Sequence, residues 1–244
     1  MKVLVPPALR KRATIGIISP ASPQRDESRL ERGIRYLEAL GYSVKLGTHV
    51  HARHGNYLAG TDAQRAADIH AMFCDPHVDA IFCARGGYGC TRLLPLLNFE
   101  LIRRHPKIFV GFSDITALNL AFWKHCRLVT FSGAMPSVEM ADMFDPLSEE
   151  QFWKVLTWKK PAGRVRQHMP METLRAGEAT GRLLGGNLSV LTSMLGTAHM
   201  PSLRSTITVL EDVGEVTYRI DRMLTHLAQS THRARPAGLA YGFW

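Results

Sequence analysis

Two periodicities take turns along the first half of the chain. Short apolar runs at residues 14–19 (TIGIIS), 42–46, 78–84 (VDAIFCA) and 107–110 have the length and β-branched or aromatic content of buried strands. Between them, apolar residues recur at helical spacing. Leu30, Ile34, Leu37 and Leu40 do so within residues 27–40, closed by Gly41. Ile69, Met72 and Phe73 stripe a second segment, which opens on a Thr61/Gln64 capping box and ends near Cys74. Leu118, Phe122 and Trp123 mark a third within residues 115–124, and residues 127–131 read as a further strand. Strands alternating with helices predict a mostly parallel sheet flanked by helices, a Rossmann-like α/β arrangement.

From Pro136 the pattern changes. Residues 148–157 predict a short helix with a capping box at Ser148 and Gln151, and residues 158–178 are basic and punctuated by proline. A second unit follows in TGRLLGGNLSVLTSMLGT, read as a strand and a glycine turn opening onto a helix near Leu188. Residues 205–210 alternate like a strand and deliver Glu211 and Asp212 at its end. Tyr218, Met223, Leu224 and Leu227 predict a helix reaching Gln229, and LAYGFW opens another strand. The expected organisation is an N-terminal α/β domain over residues 1–135, a crossing segment over 136–178, and a smaller, incomplete C-terminal α/β domain over 179–244.

Composition narrows the class without deciding it. The 244 residues are 45% hydrophobic and 21% charged, ordinary for a globular protein. No apolar run is long enough to span a bilayer, and the first twenty residues place basic residues after a very short apolar piece, the reverse of a secretory signal. A cytoplasmic protein is expected. Cys74, Cys83, Cys90 and Cys126 show no CxxC spacing, which fits reduced thiols rather than zinc or disulfides. His49, His51 and His54 fall close together without a ligand spacing, so no metal and no cofactor are expected. The net charge of +9 is spread along the chain with no nucleic-acid motif, and reads as a basic surface suited to an anionic substrate. Neither a nucleic acid nor a membrane is an expected partner; a homodimer is compatible with the sequence.

Two glycine-bearing turns carry the candidate chemistry. In KIFVGFSDIT, only Gly111 to Asp114 separate a strand from a helix, so the Ser113 hydroxyl stands above the sheet edge near the amides that open the helix. That is the logic of a nucleophile elbow, although Ile115 occupies the usual second glycine. Capping of the helix by Ser113 or Asp114 is the competing reading. In Arg85-Gly86-Gly87-Tyr88-Gly89, a strand runs into three glycines, matching neither a P-loop nor a dinucleotide fingerprint. A tight turn needs one glycine; three suggest close approach of a ligand to backbone N–H groups.

The blocks ISPAS, RGGYG, VGFSDITAL, GRLLGGNLSVLTSMLGT and LEDVGEVTYRIDRML resemble the LD-carboxypeptidases, the muramoyltetrapeptide carboxypeptidase group of serine peptidases, from about Thr14 to the last residue. The resemblance implies a cytoplasmic enzyme of cell-wall recycling that removes the terminal D-alanine from murein tetrapeptide. It implies Ser113 as nucleophile and Glu211 as the acid of a Ser-His-Glu triad. It further implies Asp114 and Gly87, or else Gly86, as oxyanion-hole donors, with Arg85 available to a substrate carboxylate. Without the resemblance, Glu211 reads as an acid favoured by a helix N-terminus.

The family's histidine lies in a glycine- and histidine-containing segment beyond the glutamate block, and no histidine here stands in that motif. His226 and His232 are nearest. The expectation is therefore a truncated, impaired enzyme. The alternatives are a microcin-C-type immunity peptidase and a non-catalytic muropeptide-binding remnant.

Overall fold

The computed structural model describes residues 1–167, 170–231 and 235–242. In chain order the first unit comprises β1 (Thr14–Ile18), α1 (Glu27–Ala39), β2 (Ser43–Leu46), α2 (Asp62–Cys74), β3 (Ala80–Cys83), α3 (Cys90–Leu93), α4 (Phe99–Arg104), β4 (Ile108–Val110) and α5 (Thr116–Cys126). Its strands form a parallel sheet in the order β2-β1-β3-β4. After α6 (Pro146–Thr157) come β5 (Arg182–Asn187), α7 (Leu188–Ser193), β6 (Thr206–Glu211), α8 (Thr217–Ser230) and β7 (Gly238–Tyr241). Among the described residues, β5, β6 and β7 make a second parallel sheet in that order.

Strands β1, β3 and β4 are buried on both faces, which is why they read as continuous apolar runs, whereas the edge strand β2 is largely exposed. Ile15, Ile17, Phe82 and Val110 face α1 and α6, while Ile18, Ile81 and Phe109 face α2 and α5. That second layer does not stop at the first unit: it runs on through Leu188, Leu191, Leu210 and Leu227 of the second. Helix α5 is therefore enclosed from both sides. It buries Ala117, Leu118, Leu120, Ala121 and Phe122, and Phe122 meets Phe109 edge-on at 4.9 Å. Trp123, expected on the apolar face, is only half-buried and lies beneath the guanidinium of Arg182 at 5.5 Å.

Several expectations need correction. Residues 127–131 form no strand: Arg127 terminates α5 in the left-handed region, φ 56°, and only isolated bridges at Leu128 and Phe131 follow. Helix α6 starts two residues early, because Asp145 caps Ser148 N–H at 2.8 Å and Pro146 fills the first helical turn. Gln151 bonds the backbone of Arg166 instead of closing a capping box. Gly185 and Gly186 lie within β5, paired with Val209 and Leu210, not in a turn after it; glycine at 186 leaves room for Thr116, whose Oγ1 would lie 2.5 Å from a Cβ there. Leu40 caps α1 and is exposed. The Thr61/Gln64 capping box is present. His49 and His51 pair with Asp68 and Glu27, each at 2.8 Å.

Helix α1 approaches the backbone at Pro136 so closely that a Cβ on Gly33 would lie 2.0 Å from the Pro136 carbonyl oxygen. Helix propensity alone would reward Gly33→Ala by about 1 kcal/mol. The clash is with backbone and cannot be relieved by a rotamer change, so the substitution is expected to destabilise by about 1–3 kcal/mol. Urea denaturation reads the sign directly.

Candidate active site

The elbow is built from three local constraints. Phe112 leaves β4 extended, with φ −131° and ψ −169°, and Ser113 then turns to φ 62°. That left-handed backbone costs a non-glycine residue roughly 1–2 kcal/mol and throws the side chain out of the turn. Ser113–Ile115 forms one turn of 3-10 helix that runs into α5. From inside α5, Asn119 Nδ2 donates to the Gly111 carbonyl at 2.9 Å, fixing the entry to the elbow. The room that a second glycine would provide comes from Gly111 instead. A Cβ there would lie 3.0 Å from the fully buried Ile115 side chain.

The RGGYG loop closes over this serine. A Cβ on Gly86 would come within 2.9 Å of Ser113 Cβ and 3.0 Å of its Oγ. Gly87 has φ 126° and packs against Ser22, whose hydroxyl accepts the Tyr88 N–H at 3.1 Å and donates to the Tyr57 carbonyl at 2.8 Å. Three glycines are thus needed because two loops and the serine occupy one small volume. Ser132 and Gly133 do not join them: Gly133 faces the Phe152 ring. Arg85 points elsewhere as well. Its Nη1 donates to the Pro23 carbonyl at 3.2 Å, and burial, followed by the neighbouring Arg25 and Arg29, lowers its pKa.

The second unit supplies the other wall. Asn187 ends β5 and caps α7: its Oδ1 accepts from Val190 N–H and Ser189 Oγ, and its Nδ2 donates to Asp212 at 3.0 Å. Its own N–H donates to Thr116 Oγ1 at 3.0 Å, tying the unit to the first turn of α5. Asp212 is buried and also accepts from the N–H groups of Ser189 and Val213, both at 2.9 Å. The acid serving the helix N-terminus is therefore Asp212, not Glu211. Glu211, at the end of β6, is half-buried. Burial and then the adjacent Asp212 push its carboxyl above the ordinary glutamate value, against a hydrogen bond from Asn187.

One cleft of about 250 Å³ gathers these pieces: Gly87, Ser113 and Asp114 on one side, Asn187, Glu211 and Glu215 on the other. Asn187 escaped sequence reasoning, although an asparagine between a strand and an apolar helical run is a recognisable N-cap signal. Among the described residues no histidine lines the cleft. His226 is exposed on α8, and His232 lies outside the described residues.

The profile of the LD-carboxypeptidase N-terminal domain matches residues 15–133, and that of the C-terminal domain matches residues 180–244. The chain belongs to the LD-carboxypeptidase family. It is 43% identical over 235 residues to the probable murein peptide carboxypeptidase of Bacillus subtilis (strain 168), covering 96% of this chain and 73% of that one. Among solved structures it resembles the MccF-like protein from Bacillus anthracis str. Ames, at 29% identity with a TM-score of 0.88, over 98% of this chain and 80% of that one. It also resembles the muramoyltetrapeptide carboxypeptidase from Oxalobacter formigenes, at 30% identity with a TM-score of 0.82, over 95% and 77%.

Two substitutions test this geometry. Gly86→Ala places a methyl group against the Ser113 side chain and is expected to lower turnover at least ~10-fold, as misplacement of a reacting group does. Thermal melting of the same variant separates this from unfolding. Glu211→Gln removes a charge that the fold disfavours, so its Tm is expected to equal or exceed the parent's at neutral pH while activity falls. The sign follows from a raised folded-state pKa: ionised Glu211 costs stability above that pKa, and the cost is relieved as pH falls through it. If ionised Glu211 is required, activity fades on acidification at a higher pH than an unperturbed glutamate would give.

Proposed function

We propose that the protein is a serine carboxypeptidase that releases the terminal D-alanine of murein tetrapeptide, with Ser113 as nucleophile. The observation that carries this reading is the left-handed Ser113 elbow facing Glu211 across a cleft between two α/β units. The proposed units are residues 1–135 and 179–244, joined by the segment 136–178.

In this reading Ser113 Oγ attacks the carbonyl carbon of the L,D-peptide bond, and the amine of D-alanine departs with a proton. Water then hydrolyses the ester on Ser113. The backbone N–H groups of Asp114 and Gly87 stabilise the oxyanion formed in both steps. Gly86 acts through its missing side chain, keeping clearance over the nucleophile. Glu211, partly withdrawn from water and less well supplied with donors than Asp212, is the acid available to orient an imidazole. The described lining of the cleft includes Ser113, Glu211, Asp114 and Gly87, to which this reading gives those roles, and no imidazole. Arg85 is assigned no substrate contact, because its guanidinium faces the Pro23 carbonyl.

Among the described residues no helix is long and apolar enough to cross a membrane. Four free cysteines, three of them buried, support a reducing compartment such as the cytoplasm, where murein fragments are recycled. The similarity to murein peptide carboxypeptidases favours a muropeptide over a nucleotide conjugate as substrate.

Release of D-alanine from murein tetrapeptide, followed by a coupled D-amino-acid oxidase assay, tests the proposal. Because no imidazole lines the cleft among the described residues, the parent chain is expected to release it only slowly, and Ser113→Ala to bind the peptide with similar affinity while that residual turnover falls to the uncatalysed level. Release above the uncatalysed level that Ser113→Ala leaves unchanged would reject the serine mechanism.

A further inference from the structure

Arg65 is an unusual residue to find in the middle of α2. Its side chain is wholly withdrawn from solvent, whereas arginine is almost never fully buried without partners. It forms an ion pair with Asp62, which is gripped from the surface by Arg92 at 2.7 Å. A pair of that kind does not require burial. What burial adds is the reach of Nη1, which donates to the carbonyl of Pro20 at 2.5 Å and to that of Gly89 at 3.0 Å. These carbonyls belong to the loops leaving β1 and β3. Nε has no hydrogen-bond partner, so the side chain is committed to the two loops and Asp62.

The opposite end of the same peptide group is held by a buried anion. Cys90 N–H, one bond beyond the Gly89 carbonyl, donates to Asp114 Oδ2 at 2.8 Å. The Gly89–Cys90 peptide thus presents its carbonyl to a buried guanidinium and its N–H to a buried carboxylate, so its dipole lies along the field between them. In a low-dielectric interior such an arrangement is stronger than the same bonds in water. Gly89 has φ 124°, and a Cβ there would meet Leu58 at 2.6 Å and Arg65 Nη1 at 2.7 Å. Asp114 is the residue after Ser113, and Gly87 lies two residues before Gly89.

We propose that Arg65 is a positioning residue of the active site: together with the Asp114 carboxylate it clamps the Gly89–Cys90 peptide and thereby fixes the Gly87 amide relative to Ser113. The chemical consequence rests on the serine carboxypeptidase reading above; the clamp itself does not. A loop with three glycines in five residues has wide backbone freedom, and oxyanion donors accelerate acyl transfer only when already oriented. The clamp supplies that orientation from residues that need not touch substrate.

The test uses the full 244-residue chain as parent and as Arg65→Gln, Arg65→Lys, Asp114→Asn and the Arg65→Gln/Asp114→Asn double variant. Two readouts are taken. Hydrogen exchange reports protection of the 86–90 amides, and stopped-time labelling with a phosphonofluoridate reports capture of Ser113, because its phosphoryl oxygen occupies the oxyanion position. Arg65→Gln is expected to speed exchange in 86–90 and to lower the limiting capture rate, each at least ~10-fold, with the probe's half-saturating concentration little changed. Arg65→Lys, which keeps the charge and one donor direction, is expected to fall between the two. The double variant is expected to lose no more than about threefold beyond the worse single variant, since both singles break one clamp.

Parental capture by Arg65→Gln, fully additive losses, or an exchange increase spread evenly over residues 62–126 would each overturn the proposal. Capture of the probe by the parent at a residue other than Ser113 rejects the serine mechanism instead. In that event exchange at 86–90 still decides the clamp.

Discussion

The enclosure of α5 between two parallel sheets is the constraint on which the rest depends. A helix buried on both sides cannot lean on water to satisfy its polar atoms, and its side chains must fit neighbours in every direction. Thr116 at its start receives the Asn187 N–H, and Asn119 holds the Gly111 carbonyl. Because α5 begins where the elbow ends, whatever fixes this helix fixes Ser113. The same helix joins the layers: Phe122 packs on Phe73 and Phe109 of the first unit, and Leu188, Leu191 and Leu210 of the second belong to the same apolar cluster. The geometry of the Ser113 elbow and the seam between the units are therefore one packing problem.

Three of the four carboxylates lining the cleft, Asp114, Glu211 and Asp212, have been given different environments. Asp212 is buried but meets three hydrogen-bond donors, two of them backbone N–H groups. Asp114 is buried with one backbone donor from Cys90, and desolvation raises its pKa despite that bond and the nearby Arg65. Glu211 is only half-buried, beside Asp212, with its own pKa also raised. Desolvation without full compensation is what makes a carboxylate responsive to a neighbouring cation or proton. Glu211 is thus the acid left responsive at the cleft, while Asp212 and Asp114 hold backbone in place. In a chain of net charge +9, this local concentration of acid is set by tertiary structure and not by overall composition.

The loops follow a related division. Glycines 86, 87 and 89 allow close approach, whereas Ser22, Arg65 and Asp114 restrict where the approach settles. Flexibility in the sequence is converted to a fixed arrangement by hydrogen bonds that come from other elements. Arg85 illustrates the converse: a cation opening the glycine loop that packs over Ser113 is expected from sequence to be available to a substrate, yet its guanidinium donates to the Pro23 carbonyl.

The sequence by itself determined the alternation of strands and helices, the capping box at Thr61 and the two glycine turns, because these depend on side-chain period and on backbone freedom over a few residues. It also carried the family resemblance and, with it, Ser113 and Glu211 as residues of interest. Apolar period could not separate a true strand from residues 127–131, where the left-handed Arg127 ends α5 and prevents a ladder from forming. Nor could it distinguish Glu211 from Asp212, adjacent acids that both line the cleft but of which only Asp212 is taken up by donors from all three of Asn187, Ser189 and Val213. Arg65 was indistinguishable from any surface arginine of an amphipathic helix. Only the folded chain, by bringing the Pro20 and Gly89 carbonyls from forty-five residues upstream and twenty-four downstream, gave it something to hold. Tertiary structure decided these points because each depends on contacts between residues far apart in the chain, and no local pattern encodes them.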